Sequence, residues 1–294
     1  MVLANHEKDT YLKGNMLLRS YLFHLRARNL SIRTVDASEY FISQFIKQYA
    51  PLEASRSDIE TYLAEISERC KPSTVWTIWR HLKGFYKWLE AEGDIFENPM
   101  TNIPRPQVPP SEVVVLTDIQ VLALLKTCRG KSTAERRDFA IITMMLDTGL
   151  RLDEVVRLTV NDISQHGTLR VFGKGRKWRT VAMGTTSQTA LERWLRIRPQ
   201  VNESLFTGRR GQLGRTGIRK VLMRRGQQAG FHLHPHMLRH TFVDNWLRNG
   251  GAEVDLARLA GWTTTRMAER YAQHRADERA VTAHKSVAPL DSLT

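Results

Sequence analysis

Cysteine is nearly absent from this 294-residue chain: only Cys70 and Cys128 occur, far apart and outside any CxxC or Cys/His grouping. That argues against a disulfide framework and a structural zinc, and both are expected as small buried hydrophobes. Long hydrophobic runs are missing too. No stretch of eighteen apolar residues exists, and the opening MVLANHEKDTYLKGN has no apolar segment behind a basic start. Neither a spanning helix nor a secretory signal is expected, which points to a cytoplasmic protein. Internal repeats and low-complexity tracts are lacking as well. Acidic residues are also in short supply: 30 Asp and Glu face 44 Lys and Arg, a formal net charge of +14. Such a balance suggests a polyanionic partner, with duplex DNA or RNA ahead of a membrane surface.

The charge is unevenly placed. Residues 1–110 hold 14 basic and 13 acidic side chains, whereas residues 111–294 hold 30 and 17. The second part is therefore expected to make most phosphate contacts. Between the two lies Asn98-Pro-Met-Thr-Asn-Ile-Pro-Arg-Pro-Gln-Val-Pro-Pro110, with five prolines in thirteen residues. Proline at that density can continue neither helix nor sheet, so it reads as an extended linker. The expected organisation is a helical domain over 1–98, a linker over 99–113 and a second domain over 114–294.

Apolar residues recur at three and four in YLKGNMLLRSYLFHL, TVDASEYFISQFIKQYA, DIETYLAEI and TVWTIWRHLKGFYKWLEAEG, which predicts four helices. About ten residues precede the first, too few for a further amino-terminal domain. Ser31, Ser57 and Ser73 are the expected N-caps of the last three, and Gly93 the stop of the fourth. Trp76, Trp79, Phe85, Tyr86 and Trp88 at helical spacing read as core. Arg80, Lys83 and Lys87 share one face, suited either to phosphates or simply to solvent.

Beyond the linker, Thr117 to Gln120 forms a capping box opening one helix, and AERRDFAIITMMLDTG forms the next. Residues 167–173 and 178–184 read as two strands joined through Gly173-Lys-Gly175, and helices return from Thr186 onward. The fold class is therefore mainly α with a small antiparallel β-sheet.

Three segments carry phosphate-handling side chains beside helix or turn signals. LDTGLRLDEVVR holds Arg151 just after Gly149. VFGKGRK holds Lys174 at a hairpin tip. HPHMLRHTF holds His236 and Arg239, three apart on one face of a helix that Pro235 starts. Together with Trp262 and Tyr271 in LAGWTTTRMAERYAQH, nine residues apart, this ordered set resembles the tyrosine recombinases of the phage-integrase and Xer type. Each motif is weak alone; six matching positions in order with sensible spacing are specific. The likeness covers nearly the whole chain, since the helical domain ending in FYKWLEAEGDIFENP resembles the family's core-binding domain. It implies a helical core-binding domain followed by an α+β catalytic domain.

What the resemblance implies about chemistry follows from phosphodiester transesterification. Tyr271 would attack a DNA phosphate and form a 3′-phosphotyrosyl link. Arg151 and Arg239 would hold the non-bridging oxygens, because a guanidinium offers a fixed fork of donors and stays charged. Lys174 would protonate the departing 5′-oxygen. His236 would take the Tyr271 proton or donate to the phosphate. Glu154, where the family has an acidic residue, would orient Arg or His side chains, and Trp262 would donate one hydrogen bond and pack the pocket. His240, directly after Arg239, reads as structural. Arg176, Lys177 and Arg179, crowding the hairpin, read as phosphate contacts alongside Arg80, Lys83 and Lys87.

No cofactor or metal is implied. His232 and His234 stand two apart, yet no carboxylate or cysteine lies at ligand spacing. The implied partners are duplex recombination sites clamped between the domains, three further protomers in a tetramer, and an accessory DNA-bending protein, all at the nucleoid. The tail VTAHKSVAPLDSLT is expected to dock on a neighbouring protomer. Two departures stand out: Trp262 replaces the family's usual His, and Ala260-Gly261 replaces its usual Leu-Gly. Rival readings are a type IB topoisomerase-like relaxing enzyme and a catalytically silent DNA-binding regulator.

Overall fold

The computed structural model describes residues 2–109, 113–164, 166–173, 177–208, 211–265, 271, 281 and 284, with the backbone alone for residues 2–10. The chain divides into two compact units, Met1–Ser111 and Glu112–Thr294.

The first unit is built from α1 (Val2–Ala27), α2 (Ile32–Ile46), α3 (Arg56–Arg69) and α4 (Pro72–Glu92). Helix α1 starts well before the expected Tyr11, since no proline or glycine interrupts the residues ahead of it. Ser31 caps α2 as expected, but Ser55 rather than Ser57 caps α3. Asp58 occupies the third helical position only relative to Ser55, and the two close a reciprocal capping box. Likewise Pro72 takes the first position of α4 behind Lys71, leaving Ser73 inside the helix. Gly93 ends α4 in the left-handed conformation, φ 81°.

The α4 aromatics do face inward. Phe85 and Tyr86 are fully buried, Trp79 and Trp88 nearly so, while Trp76 is half-exposed. Tyr21, Phe45 and Tyr62 complete the cluster, with Tyr21–Phe85 and Phe45–Tyr62 ring centroids 5.3 and 5.1 Å apart. The first residues of the proline-rich stretch are not linker: Met100 and Ile103 are buried in this core. Asn98 accepts a hydrogen bond from the Met100 amide at 2.9 Å, and Trp79 Nε1 donates to the Ile103 carbonyl at 3.3 Å. An Asx-type turn thus folds the chain back before the extended part begins. Cys70 is only half-buried, unlike Cys128.

The second unit holds α5 (Asp118–Lys126), α6 (Thr133–Thr148), α7 (Leu152–Arg157), a 3₁₀ turn at Val160–Asp162, β1 (Thr168–Phe172), β2 (Trp178–Ala182) and α8 (Thr185–Leu195). After these come β3 (Thr207–Gly208), β4 (Gly211–Gln212), α9 (Arg215–Gln228), α10 (Pro235–Arg248) and α11 (Glu253–Ala260). Helix α6 is central and packs on α8 and α10, burying Ile141, Ile142, Met144 and Met145 completely. Strands β1 and β2 pair antiparallel with Val171 opposite Arg179. A second small hairpin, β3–β4, interrupts the stretch read as helical after Thr186, with Gly208 opposite Gly211 and Gly211 at φ 101°.

An ionic lock joins α6 to α9. Asp138 is fully buried and receives Arg137, Arg225 and Arg224, with Arg225 itself only 6% exposed. Arg225 also donates to the Thr127 carbonyl at 2.6 Å, closing the end of α5. A buried carboxylate needs this much compensation.

Candidate active site

The site begins where α6 ends. Gly149 adopts φ 61°, and a Cβ there would lie 2.3 Å from the Phe242 ring on α10, so only glycine allows both the turn and the contact. The chain re-enters a helix three residues later, at Leu152. Glu154, in the first turn of α7, reaches back to accept the Arg151 amide at 2.8 Å and the Arg151 Nη1 at 3.0 Å. This fixes Arg151 at the mouth of α7, its side chain 27% exposed.

Helix α10 supplies the second arginine. Pro235 starts it, and Arg239, one turn in, is 6% exposed. Its Nη1 donates to the Gly149 carbonyl at 2.5 Å and its Nη2 to the Ala260 carbonyl at 2.7 Å. The last carbonyls of α11 have no helical partner and carry the negative end of the helix dipole. Three guanidinium groups take them in succession: Arg179 Nε on Leu259 at 2.8 Å, Arg239 on Ala260, and Arg151 Nη2 on Gly261 at 3.4 Å. One helix end thereby gathers side chains from β2, α10 and the entrance to α7.

Beyond that end stand the aromatic groups. Trp262 lies under the Arg239 guanidinium, 5.4 Å from ring centroid to Cζ, and stacks on Tyr271 with centroids 6.1 Å apart and planes 19° apart. Tyr271 is buried with Phe242, Val243 and Leu256. Its hydroxyl meets Nδ1 of His240. His236, one turn earlier on α10, is exposed and lies 6.2 Å from His240 between ring centroids.

The family model for the phage integrase family matches residues 114–278, and that for its N-terminal SAM-like domain matches residues 17–92. The chain belongs to the phage integrase family. Among curated relatives it is 31% identical to the tyrosine recombinase XerD of Listeria monocytogenes over 267 residues, covering 84% of this chain and 90% of that one. Against the tyrosine recombinase XerC of Pseudomonas aeruginosa it is 31% identical over 253 residues, covering 80% and 82%. The fold is shared with the XerH site-specific recombinase solved on its palindromic difH substrate. That match has TM-score 0.73 and 17% identity, and covers 88% of this chain and 81% of the other. The protein is a tyrosine recombinase, an enzyme of site-specific DNA recombination that cuts and rejoins strands through a tyrosine.

Electrostatics in the recombinase's cleft follow from burial. Burial lowers the Arg239 pKa to about 10, helped by the nearby Arg151 charge, so it stays protonated at neutral pH. Burial alone would raise the Glu154 carboxyl, but hydrogen bonds and charge from Arg179, then Arg151, outweigh it and hold Glu154 below its usual value. His236 is lowered by desolvation and then by Arg239 and Arg151, which favours the neutral ring. Among the described residues no group of three or more His, Cys, Asp or Glu gathers to hold a metal.

Not every expected residue sits where the motifs suggested. Lys174 and Arg176 lie outside the described residues, as does the tail apart from Val281 and His284. Lys177 is exposed on the hairpin, and Arg80, Lys83 and Lys87 are exposed along α4. Arg80 and Lys83 lie over the rings of Trp76 and Trp79 at 5.0 and 4.7 Å, leaving their charges at the surface. Arg179 departs from its reading as a phosphate contact: its fork is bidentate on Glu154, 2.8 Å on each side, and its side chain is 12% exposed. Strand alternation explains this, because Arg179 points opposite to the exposed Trp178. His240, read as structural, is the imidazole on the Tyr271 phenol, the place assigned to His236. Its signal was present in the sequence, since His236 and His240 are four apart on one helical face.

Proposed function

We propose that Tyr271 is the nucleophile of this recombinase, its phenolic oxygen attacking the scissile phosphorus while the 5′-oxygen leaves. Arg151 and Arg239 hold the two non-bridging oxygens as negative charge accumulates there. Lys174 gives its proton to the leaving 5′-oxygen. What supports this reading is the convergence of Arg151, Arg239 and Trp262 on one helix end, with Tyr271 stacked beside them. His240 takes the phenol proton, being the imidazole in contact with it, and the more exposed His236 serves the phosphate. Removing one preorganised donor of this kind costs roughly 3–4 kcal/mol of barrier. The phosphotyrosyl link conserves the energy of the broken bond, so a free 5′-hydroxyl reverses the step without a nucleotide cofactor.

The finer biology extends the same reading. The recombinase acts on pairs of duplex sites as a tetramer, aided by a DNA-bending protein, in the cytoplasm at the nucleoid, to integrate, excise or resolve DNA elements. Both domains contact one duplex, and the tail docks on a neighbouring protomer. Arg176 and Lys177, which follow Lys174 closely in the chain, and Arg80, Lys83 and Lys87 on α4 contact phosphates. Specificity comes from few base contacts together with DNA shape.

The test is a nicked half-site that loses its downstream fragment on cleavage and traps the covalent adduct. Wild type is expected to accumulate adduct and Tyr271→Phe none. Adduct formed by Tyr271→Phe would remove the nucleophile assignment. His240→Ala is expected to slow adduct formation more than His236→Ala at neutral pH, and the opposite order would return the proton-accepting role to His236.

A further inference from the structure

The guanidinium of Arg179 is held as tightly as any group in the cleft. Its Nη1 and Nη2 each donate at 2.8 Å to a different oxygen of Glu154, and its Nε donates at 2.8 Å to the Leu259 carbonyl. Two glycines make room for it. A Cβ on Gly173 would come within 2.9 Å of Nη1, and one on Gly261 within 3.1 Å of Nη1 and 3.2 Å of Cζ. Gly173 directly precedes Lys174 in the chain and Gly261 directly precedes Trp262, so this one side chain is packed against the backbone leading to both.

Glu154 is shared unequally between two arginines. Arg179 takes the parallel two-bond geometry, the strongest available between guanidinium and carboxylate, while the Arg151 side chain makes a single bond to Oε1 at 3.0 Å. Each carboxylate oxygen already accepts two donors, because the Arg151 amide completes Oε2. The remaining Arg151 donors therefore have no place on Glu154; Nη2 rests at 3.4 Å on the Gly261 carbonyl, and the N–H groups that neither acceptor takes are left for the phosphate. Without Arg179, a carboxylate only 4% exposed would be left with one cation, Arg151, and would draw its fork into the bidentate geometry.

We propose that Arg179 is a positioning residue of the transesterification, occupying Glu154 so that Arg151 stays turned toward the scissile phosphate, and not itself a contact to DNA. This rests on the reading that Arg151 binds that phosphate. A misplacement of about 1 Å in such a group is worth on the order of a hundredfold in rate.

The experiment measures adduct formation on the nicked half-site at saturating DNA, together with binding affinity across a salt series. Arg179→Met is expected to lower the saturated rate about a hundredfold with affinity and salt slope unchanged. Adding Glu154→Gln, which removes the charge that would capture Arg151, is expected to recover about tenfold of the loss. A general packing defect would not be relieved by a second substitution in the same cluster. If Arg179→Met fails to fold, as read by circular dichroism, Arg179→Lys with and without Glu154→Gln gives the same comparison, because lysine keeps the charge but not the fork. Weaker binding with a salt slope smaller by about one and an unchanged saturated rate would make Arg179 a phosphate contact and overturn the proposal. So would a folded double variant with no recovery. The underlying reading fails separately, if Arg151→Ala leaves the saturated rate at the wild-type level.

Discussion

The two units of the recombinase solve burial in opposite ways. The first carries 14 basic and 13 acidic side chains and buries neutral rings: Tyr21, Phe45, Tyr62, Phe85, Tyr86 and Trp88. Among its described residues, polar side chains other than aromatic ones are buried at Ser38 and His81, and the Tyr86 hydroxyl and Trp88 Nε1 are buried with their rings. The second is strongly basic and buries full charges, with Asp138, Glu154, Arg225 and Arg239 all within 6% exposure. Burying a charge costs several kcal/mol before compensation, whereas burying a ring is favourable from the start. In the second unit, Asp138 and Arg225 lock α6 to α9, and Glu154 and Arg239 are held among the groups proposed to act on the phosphate.

The largest expected break in that contrast is at Asp138. Asp138→Ala would leave the Arg225 guanidinium buried beside an empty site, at a cost of about 3–5 kcal/mol, seen as a lower urea midpoint with an unchanged slope. A midpoint within error of wild type would mean that the buried charges of the second unit are not the liability described. Next comes Arg239→Lys. It keeps one positive charge but loses the fork that spans the Gly149 and Ala260 carbonyls, so adduct formation should fall about a thousandfold with binding largely kept.

His81 tests the first unit from the other side. The Ser38 hydroxyl donates to the Thr34 carbonyl at 2.9 Å, so Nδ1 of His81 is the donor in the 2.9 Å bond to Ser38 Oγ. Nε2 is buried without a partner, and protonating it would bury an unsatisfied N–H. Burial, and then the Arg80 charge, lowers the His81 pKa from 6.5 to about 4. Folding favours the neutral ring, so this contribution is complete above pH 6.5 and is lost as pH falls from there to about 4. The loss amounts to ~3 kcal/mol, measurable as an acid-side drop in stability that His81→Gln should flatten. The smallest expected effect is at the α4 surface. Lys83→Gln should weaken DNA binding evenly across sequences and reduce the salt slope by about one, with adduct chemistry at saturation unchanged.

Local signals carried a large part of this far. Thr117 with Gln120, Ser31, Gly93, Gly149 and Pro235 each mark a helix end through chemistry confined to three or four residues, and each end lies where those residues place it. Where two local signals competed, reading them residue by residue chose wrongly: Ser57 looks as good a cap as Ser55 until Asp58 selects between them. The short β3–β4 hairpin has too few residues to show an alternation of period two. In the site, Arg151, His236, Arg239, Trp262 and Tyr271 were legible because their order and spacing resemble the family's motif.

By itself, then, the sequence determined the helical character, the asymmetry of charge and the identity of the groups able to handle a phosphate, since each depends on residue type and near neighbours. Only the tertiary structure decided which of those groups face one another. It turned Arg179 inward onto Glu154, set His240 rather than His236 against Tyr271, and brought Arg151, Arg179 and Arg239 to three successive carbonyls of one helix end. The partners there are separated by as many as 110 positions, as between Arg151 and Gly261. Spacing in sequence cannot express such a meeting, because it exists only once the strand, the helices and the two glycines that admit the guanidinium are packed together.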